Sequence, residues 1–464
     1  MNVLATITKD QRVSFWKSVQ HGFPLLCLIM GDYITLSKPS EDGAGTFMDI
    51  ETFRLIVFGG AYVLSVWTIY LRRVDFLSLM QGHWSLILFL IYAFSSFFWS
   101  AFPDKVLTAC SHLLGAYLVA AAGLLMFRGN EVSLIRVYCM FSYVFIPACL
   151  VTGFYFPDRN IHVQSGRWMA LTLNPNTLGA ATMICVWANM SYLLYARNVL
   201  MRLWVVLTII GAFGLLVGAG SVTSMGLSIL AVLGIPLFYW FAKSGNAVIA
   251  TFRISYTSLI IFAVLGYFYA TQPELFDMNR SLDSVGRQSN LTGRTTLWAI
   301  ANAAIDARPF IGWSFDSLSS LPSKYSINTN QFHNGYLDLM VRGGMIGLGF
   351  IIFFAATTVL RIIRLAPGKK AMSASFGTLL VLILLHNISE TSLASAPNPL
   401  WLLFTFIYIA IVPRIFKWHE TGVLDEASKW KWGQSPKESN APAEAPILKS
   451  YASPTAKWRA PVRG

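Results

Sequence analysis

The feature that most limits what this chain can become is a succession of apolar stretches, each about as long as a bilayer is thick. A helix needs roughly 20 predominantly apolar residues to cross the hydrocarbon core. Candidate spans centre on 18–37, 53–71, 84–102, 106–127, 134–156, 176–196, 203–220, 222–242, 254–271, 340–360, 374–391 and 399–416. They predict an all-α, polytopic integral membrane protein with about twelve transmembrane helices. In lipid every backbone donor and acceptor must be paired within its own segment unless a barrel closes, and these stretches are too long for barrel strands. Composition points the same way. Only 12% of the 464 residues are charged, against about 25% in an average soluble domain, and the mean hydropathy is +0.55. Gly31-Asp32-Tyr33 interrupts the first stretch and no small-residue cleavage pattern follows, so it reads as a retained span rather than a signal peptide.

Charge supplies the orientation. A net charge of +13 in a soluble protein would suggest nucleic acid, but here the basic residues sort by side. With the N-terminus in the cytoplasm, 24 of the 35 Lys and Arg residues fall on that side, the bias of the positive-inside rule. Both termini are then cytoplasmic and no nucleic-acid partner is required. The expected organisation is helices 1–9 within residues 1–271, a long external loop at 272–338, helices 10–12 within 339–416, and a tail at 417–464. That tail is rich in Pro, Ala, Ser and Lys and is expected to be disordered. In the long loop Leu297, Trp298, Ile300, Ala301, Ala304 and Ile305 share one helical face and Arg308-Pro309 ends it. Such an amphipathic helix suits a position against the outer leaflet.

The chemistry-bearing residues collect on the external side. The five cysteines sit in apolar stretches at no metal or disulfide spacing, the seven histidines show no close ligand spacing, and no Gly-rich nucleotide loop is present, so neither metal nor cofactor is expected. Gly343-Gly344-Met345-Ile346-Gly347, at the start of a span, reads instead as small residues permitting close helix packing. Outside lie Arg159, Arg167, Arg287, Arg294 and His333, with Asn174-Pro175-Asn176 and Asn334. A guanidinium stays charged and grips phosphate oxygens through two parallel hydrogen bonds, so arginines around an external cavity suit a diphosphate. For any single arginine the plainer reading is a solvated loop residue. His333 stands where the long loop re-enters the membrane. An imidazole, with an ordinary pKa of about 6.5, is suited to taking a proton from a sugar hydroxyl at neutral pH; a purely structural histidine is the alternative.

Several motifs in fixed order resemble a known family. Gly293-Arg294-Thr295-Thr296-Leu297-Trp298, Arg308-Pro309-Phe310-Ile311-Gly312-Trp313, His333-Asn334-Gly335-Tyr336-Leu337 and Arg342-Gly343-Gly344-Met345-Ile346-Gly347-Leu348 look like the central region of the O-antigen ligase and polysaccharide polymerase family. Arg167-Trp168 with Asn174-Pro175-Asn176-Thr177-Leu178-Gly179, and the late His386-Asn387-Ile388-Ser389-Glu390, add a likeness to its exopolysaccharide polymerase branch. The resemblance implies a metal-independent glycosyltransferase of the bacterial inner membrane. Its donor would be a polyprenyl-diphosphate-linked oligosaccharide, its setting membrane lipid, and its further partners chain-length regulator and export proteins. By the same likeness His333 would activate the acceptor hydroxyl and Arg294 with a second loop arginine, Arg167 or Arg287, would hold the diphosphate, beside Asn176 and Asn334. Family ligases usually carry a Ser-Arg pair at the outer end of a mid-chain span. Here Gly220-Ser221-Val222-Thr223-Ser224 has no arginine, so either Arg167 supplies that charge or the leaving group is handled differently. Gly211, Gly214, Gly218 and Gly220 would leave a groove for the polyprenyl chain.

Two further functions remain open on the residues alone. One is transfer of finished glycan to a lipid A core, as in a ligase. The other belongs to a different class, a lipid-linked oligosaccharide flippase, which would also need about twelve spans and external arginines. Transporters tend to place ionisable residues at the bilayer midplane and to repeat themselves in two halves. In this chain the cations gather on one side, and the long loop has no counterpart in the first half.

Overall fold

The computed structural model describes residues 15–34, 50–80, 82–127, 130–162, 165–243, 294–325, 327, 331–366, 368–395 and 397–411. The expected span at 254–271, Arg287 and the tail at 417–464 lie outside them. Each of the other expected spans overlaps one or more of the helices. In chain order these are α1 (Phe15–His21), α2 (Phe23–Tyr33), α3 (Ile50–Leu71), α4 (Arg73–Met80), α5 (Trp84–Ser95), α6 (Pro103–Met126), α7 (Glu131–Tyr155), α8 (Pro157–Asn160), α9 (Pro175–Leu193), α10 (Val199–Ala219), α11 (Val222–Ala242), α12 (Arg294–Ala307), α13 (Gly335–Leu365), α14 (Lys370–His386) and α15 (Pro399–Ala410). Among the described residues the extended pairing amounts to a single antiparallel bridge, Ile161 with Trp168.

Six helices, α3, α6, α7, α10, α11 and α13, are long and apolar enough to cross a membrane, and a seventh if α4 and the bent segment Trp84–Phe98 count as one span. Burial separates lipid-facing from central helices. On α3 only 17% of the apolar window is buried, against 67% on α6. Leu55, Val63, Val66 and Trp67 of α3 and Ile352, Phe353 and Leu360 of α13 stand exposed, a distribution that suits a hydrocarbon solvent and not water. The short helices do the opposite. Helix α9 carries small residues and is buried nearly all round, and α14 and α15 are enclosed to a similar extent. Helix α9 packs on α7, α10 and α11, and α14 lies along α11.

Helix α12 begins at Arg294 and ends before Arg308-Pro309, as its sequence pattern predicts. Its apolar face, however, is covered by protein. Ala301, Ala304 and Ile305 form a second core with Phe332 and Val341, joined at its edge by Leu297, Ile300 and Trp313. The face expected to meet the outer leaflet instead finds its apolar partners in the first turns of α13 and in Trp313, Leu318, Leu321, Tyr325 and Phe332.

The glycine run at 343–347 lies inside α13, where it breaks the helix instead of starting it. Gly344 has φ 57° and ψ −162°, a conformation open essentially to glycine alone. Freed amides are taken up by the loop ahead of the helix: Met345 N–H donates to Pro309 O at 2.8 Å and Ile346 N–H to Phe310 O at 3.2 Å. A Cβ on Gly344 would meet Phe310 O at 2.2 Å. Gly344→Ala should therefore cost at least the roughly 1–3 kcal/mol of a strained backbone, visible as a lowered melting temperature of the purified protein. An unchanged melting temperature would show that the loop yields.

Candidate active site

The segment that carries the histidine is shaped by three neighbouring residues. Asn334 caps α13, its Oδ1 accepting from Tyr336 N at 3.1 Å and Leu337 N at 3.2 Å, as an N-cap asparagine does. Gly335 comes so close to Asn387 that a Cβ would stand 2.0 Å from Oδ1. His333 itself takes a left-handed φ of 51°, unusual for a side chain with a Cβ and a mark of local constraint. Asp338, one turn into the helix, fixes both sides of this turn: its carboxylate accepts from Phe332 N at 3.2 Å and from Thr391 Oγ1. Arg342 adds donation to Leu393 O and Ala394 O. Residues 387–394 are thereby wrapped around the start of α13.

That wrapping delivers Glu390, four residues beyond the end of α14, to the centre of a hydrogen-bonded network. Glu390 Oε2 lies 3.1 Å from His333 Nδ1. Glu390 Oε1 accepts from Arg294 Nη2 at 2.6 Å and Asn176 Nδ2 at 2.9 Å. Arg294 Nη1 donates to Ser389 O at 2.5 Å, and Asn176 Oδ1 accepts from Arg167 Nη2 at 3.0 Å. Burial pushes the Glu390 carboxyl up, but the hydrogen bond from His333 and the charge of Arg294 outweigh it and hold the group below its ordinary 4.5. A depressed carboxyl stabilises the fold above its unfolded value, and that contribution is lost as pH falls through the folded one. Wild-type stability should thus fall as pH drops below about 4.5, and Glu390→Gln should be less stable near neutral pH and lose that part of the acid slope; an unchanged slope in the variant would show that the carboxylate network adds no stability.

An ionised carboxylate can only accept, so His333 Nδ1 must carry the proton. The Gln331 side-chain amide stands 3.2 Å from the same nitrogen. The tautomer leaves Nε2 with its lone pair, and no hydrogen bond among the described residues occupies it. His333 lines a cavity of about 480 Å³ together with Arg167, Asn176, His386 and Glu390.

Arg167 is set by a tryptophan. The Trp168 ring lies between two glycines, Gly153 of α7 and Gly218 of α10, where any Cβ would come within 2.8 Å of it. Trp168 N donates to Gly218 O at 2.9 Å, and Arg167 Nε donates to Ala219 O at 2.7 Å. The expected glycine groove on α10 is thus occupied in part by the protein itself, by Trp168 at Gly218 and by Arg167 at Gly220. The guanidinium stands beside Gly220-Ser221, at the C-terminal end of α10 where the sequence has no arginine of its own.

Three helices point their N-termini into the same cavity. Asn174 and Pro175 open α9, His333 and Asn334 precede α13, and Asn398 and Pro399 open α15. Asn174, Pro175, His333, Pro397 and Asn398 all line the space. Each N-terminus carries about half a positive charge, so the cavity favours an anion even before its arginines are counted.

The expected site residues therefore divide. His333, Arg167 and Asn176 meet at the cavity. Arg294, with its side chain 13% exposed, engages Ser389 and Glu390 behind it. Asn334 uses its side-chain oxygen as a cap. Glu390 is not among the expected site residues although His386-Asn387-Ile388-Ser389-Glu390 is part of the resemblance; a carboxylate just past the C-terminal end of an apolar helix is the available signal. Among the described residues no group of three His, Cys, Asp or Glu side chains is placed to hold a metal ion.

Fold and site together define a multi-pass, all-helical membrane protein with an anion-favouring cavity that holds a carboxylate-oriented histidine. Residues 205–352 match the family model described as O-antigen ligase. The match supports the resemblance seen in the motifs and, in general terms, ligase- or polymerase-type chemistry on lipid-linked glycans. No curated protein matches the chain.

Proposed function

We propose that the protein polymerises polyprenyl-diphosphate-linked repeat units into exopolysaccharide at the periplasmic face of the inner membrane. The observation that carries this reading is the Glu390–His333 pair opening on a cavity built to favour an anion. A sugar on a lipid diphosphate already has a good leaving group, so the protein must stabilise negative charge and remove one proton. In the proposed step the acceptor oxygen bonds to the donor's anomeric carbon and its proton passes to His333 Nε2. The bond from that carbon to the diphosphate oxygen breaks, and its electron pair leaves with the lipid diphosphate. Arg167 and the converging helix N-termini receive the leaving anion. Glu390 holds the imidazole in its reactive tautomer and stabilises the imidazolium, and Arg294 holds Glu390. This reading moves Arg294 from the diphosphate to a positioning role.

Glycan analysis of a deletion strain tests the assignment. Single repeats accumulating on polyprenyl diphosphate indicate a lost polymerase. Long chains left on that carrier indicate a lost ligase, and repeats confined to the cytoplasmic leaflet indicate a lost flippase. The sidedness is tested separately. Reporters fused after Arg72, Lys243 and Lys370 should read cytoplasmic and those within 280–330 periplasmic; the reverse would put His333 on the wrong side for this chemistry.

A further inference from the structure

The cavity is not uniform. Besides the network just described, its lining includes Asp32 and Tyr33 at the C-terminal end of α2, Arg54 near the start of α3, and Ser395 with Asn398 ahead of α15. Asp32 and Arg54 are half-buried. Among the described residues neither side chain takes part in a hydrogen bond or in an ion pair within 4.0 Å, although each feels the other's charge. A carboxylate and a guanidinium at the rim of an apolar bundle lose hydration without gaining each other, which is costly unless something else pairs them.

The charges say what that ligand is. Around the His333 part of the cavity, Arg167 in the lining and Arg294 just behind it stand against Glu390, a surplus of one positive charge, plus the helix N-termini. It suits a diphosphate. The Asp32–Arg54 part sums to zero and contains an acceptor-only group, which repels a diphosphate that has no proton to donate at neutral pH. Adjacent hydroxyls of a sugar fit both: they donate to the carboxylate and accept from the guanidinium. A volume of about 480 Å³ falls within the usual range for small-molecule sites, roughly 300–1,000 Å³, and leaves room for sugar beyond the reacting ring.

We propose that Asp32 and Arg54 form a neutral-sugar subsite that holds the acceptor glycan and sets which acceptor is used. The inference rests on the reading of this cavity as the place of glycosyl transfer. Neither residue touches the bond that breaks. They hold the acceptor so that its hydroxyl reaches His333.

The test uses direct binding to the purified full chain in detergent, with two probes: the lipid-free repeat-unit oligosaccharide released by mild acid from the host's own lipid-linked pool, and inorganic pyrophosphate. Asp32→Asn and Arg54→Gln should each weaken oligosaccharide binding about tenfold or more while leaving pyrophosphate binding and melting temperature unchanged. Arg167→Gln should show the opposite pattern. In turnover assays the two subsite variants should raise the KM for acceptor with kcat and donor KM near wild type. Oligosaccharide binding that is absent in the wild type, or unaltered in both variants, would overturn the proposal. So would loss of pyrophosphate binding in Arg54→Gln, which would place Arg54 with the diphosphate. Asp32→Glu guards against misfolding as the cause: it keeps the charge, and should retain more oligosaccharide binding than Asp32→Asn. If the glycan analysis excludes transfer but the oligosaccharide binding pattern holds, the subsite stands and the transferase reading falls.

Discussion

Replacing His333 by glutamine is expected to lower turnover by about 10² or more, the usual scale for loss of a positioned base, with expression, melting temperature and pyrophosphate binding near wild type. Glutamine can reach toward Glu390 with its amide N–H and so imitate the hydrogen bond that Nδ1 makes at 3.1 Å. It has no second nitrogen with a lone pair, so it cannot take the acceptor's proton. His333→Ala should lose the same turnover and, in addition, some stability, because it leaves Glu390 Oε2 without its donor. The measurement is turnover, probe binding and melting temperature on both variants. Near-normal turnover in His333→Gln would end the base assignment and leave His333 as a constrained loop residue whose ring serves packing.

The contrast between these variants reflects how the site is made, and also why only part of it was legible. Apolar length alone marked a helix at each of the expected stretches that the structure describes, and six of those helices are long and apolar enough to cross a membrane, because in a bilayer the backbone leaves few alternatives. Helix α12 was legible from its period, but which surface would cover it was not. Amphipathicity says only that one face is apolar, and Phe332 and Val341 cover it here through contacts 27 or more residues away in sequence. Arg167 and His333, singled out by chemistry and motif, do line the cavity. The partner of Arg294 was not legible, since a guanidinium in a motif looks the same whether it faces a ligand or, as at 2.6 Å from Glu390, another side chain. Glu390 and the Asp32–Arg54 lining depend on contacts across most of the chain. No local pattern signals such distant meetings.

Glu390→Gln should produce the second large effect, again about 10² or more in turnover, and its pH dependence separates orientation from scaffolding. The carboxylate does two things for His333: it fixes the proton on Nδ1, and it stabilises the imidazolium formed when Nε2 accepts a proton. A carboxamide keeps much of the shape and can still accept from Nδ1, but without the negative charge imidazolium is less favoured. The acid limb of the activity profile should therefore move to lower pH in Glu390→Gln, while the plateau falls. Arg294→Lys should show a weaker form of the same change, because an ammonium keeps a positive charge near Glu390 but cannot donate to Ser389 O and Glu390 Oε1 together in the planar geometry seen here. If Glu390 served only to tie residues 387–394 to α13, the variant would lower melting temperature and activity in parallel, and the acid limb would stay where it is. A direct diphosphate role for Arg294 would show differently again: Arg294→Lys would weaken pyrophosphate binding and leave the acid limb unmoved, returning Arg294 to the leaving group and leaving Glu390 as its counter-ion.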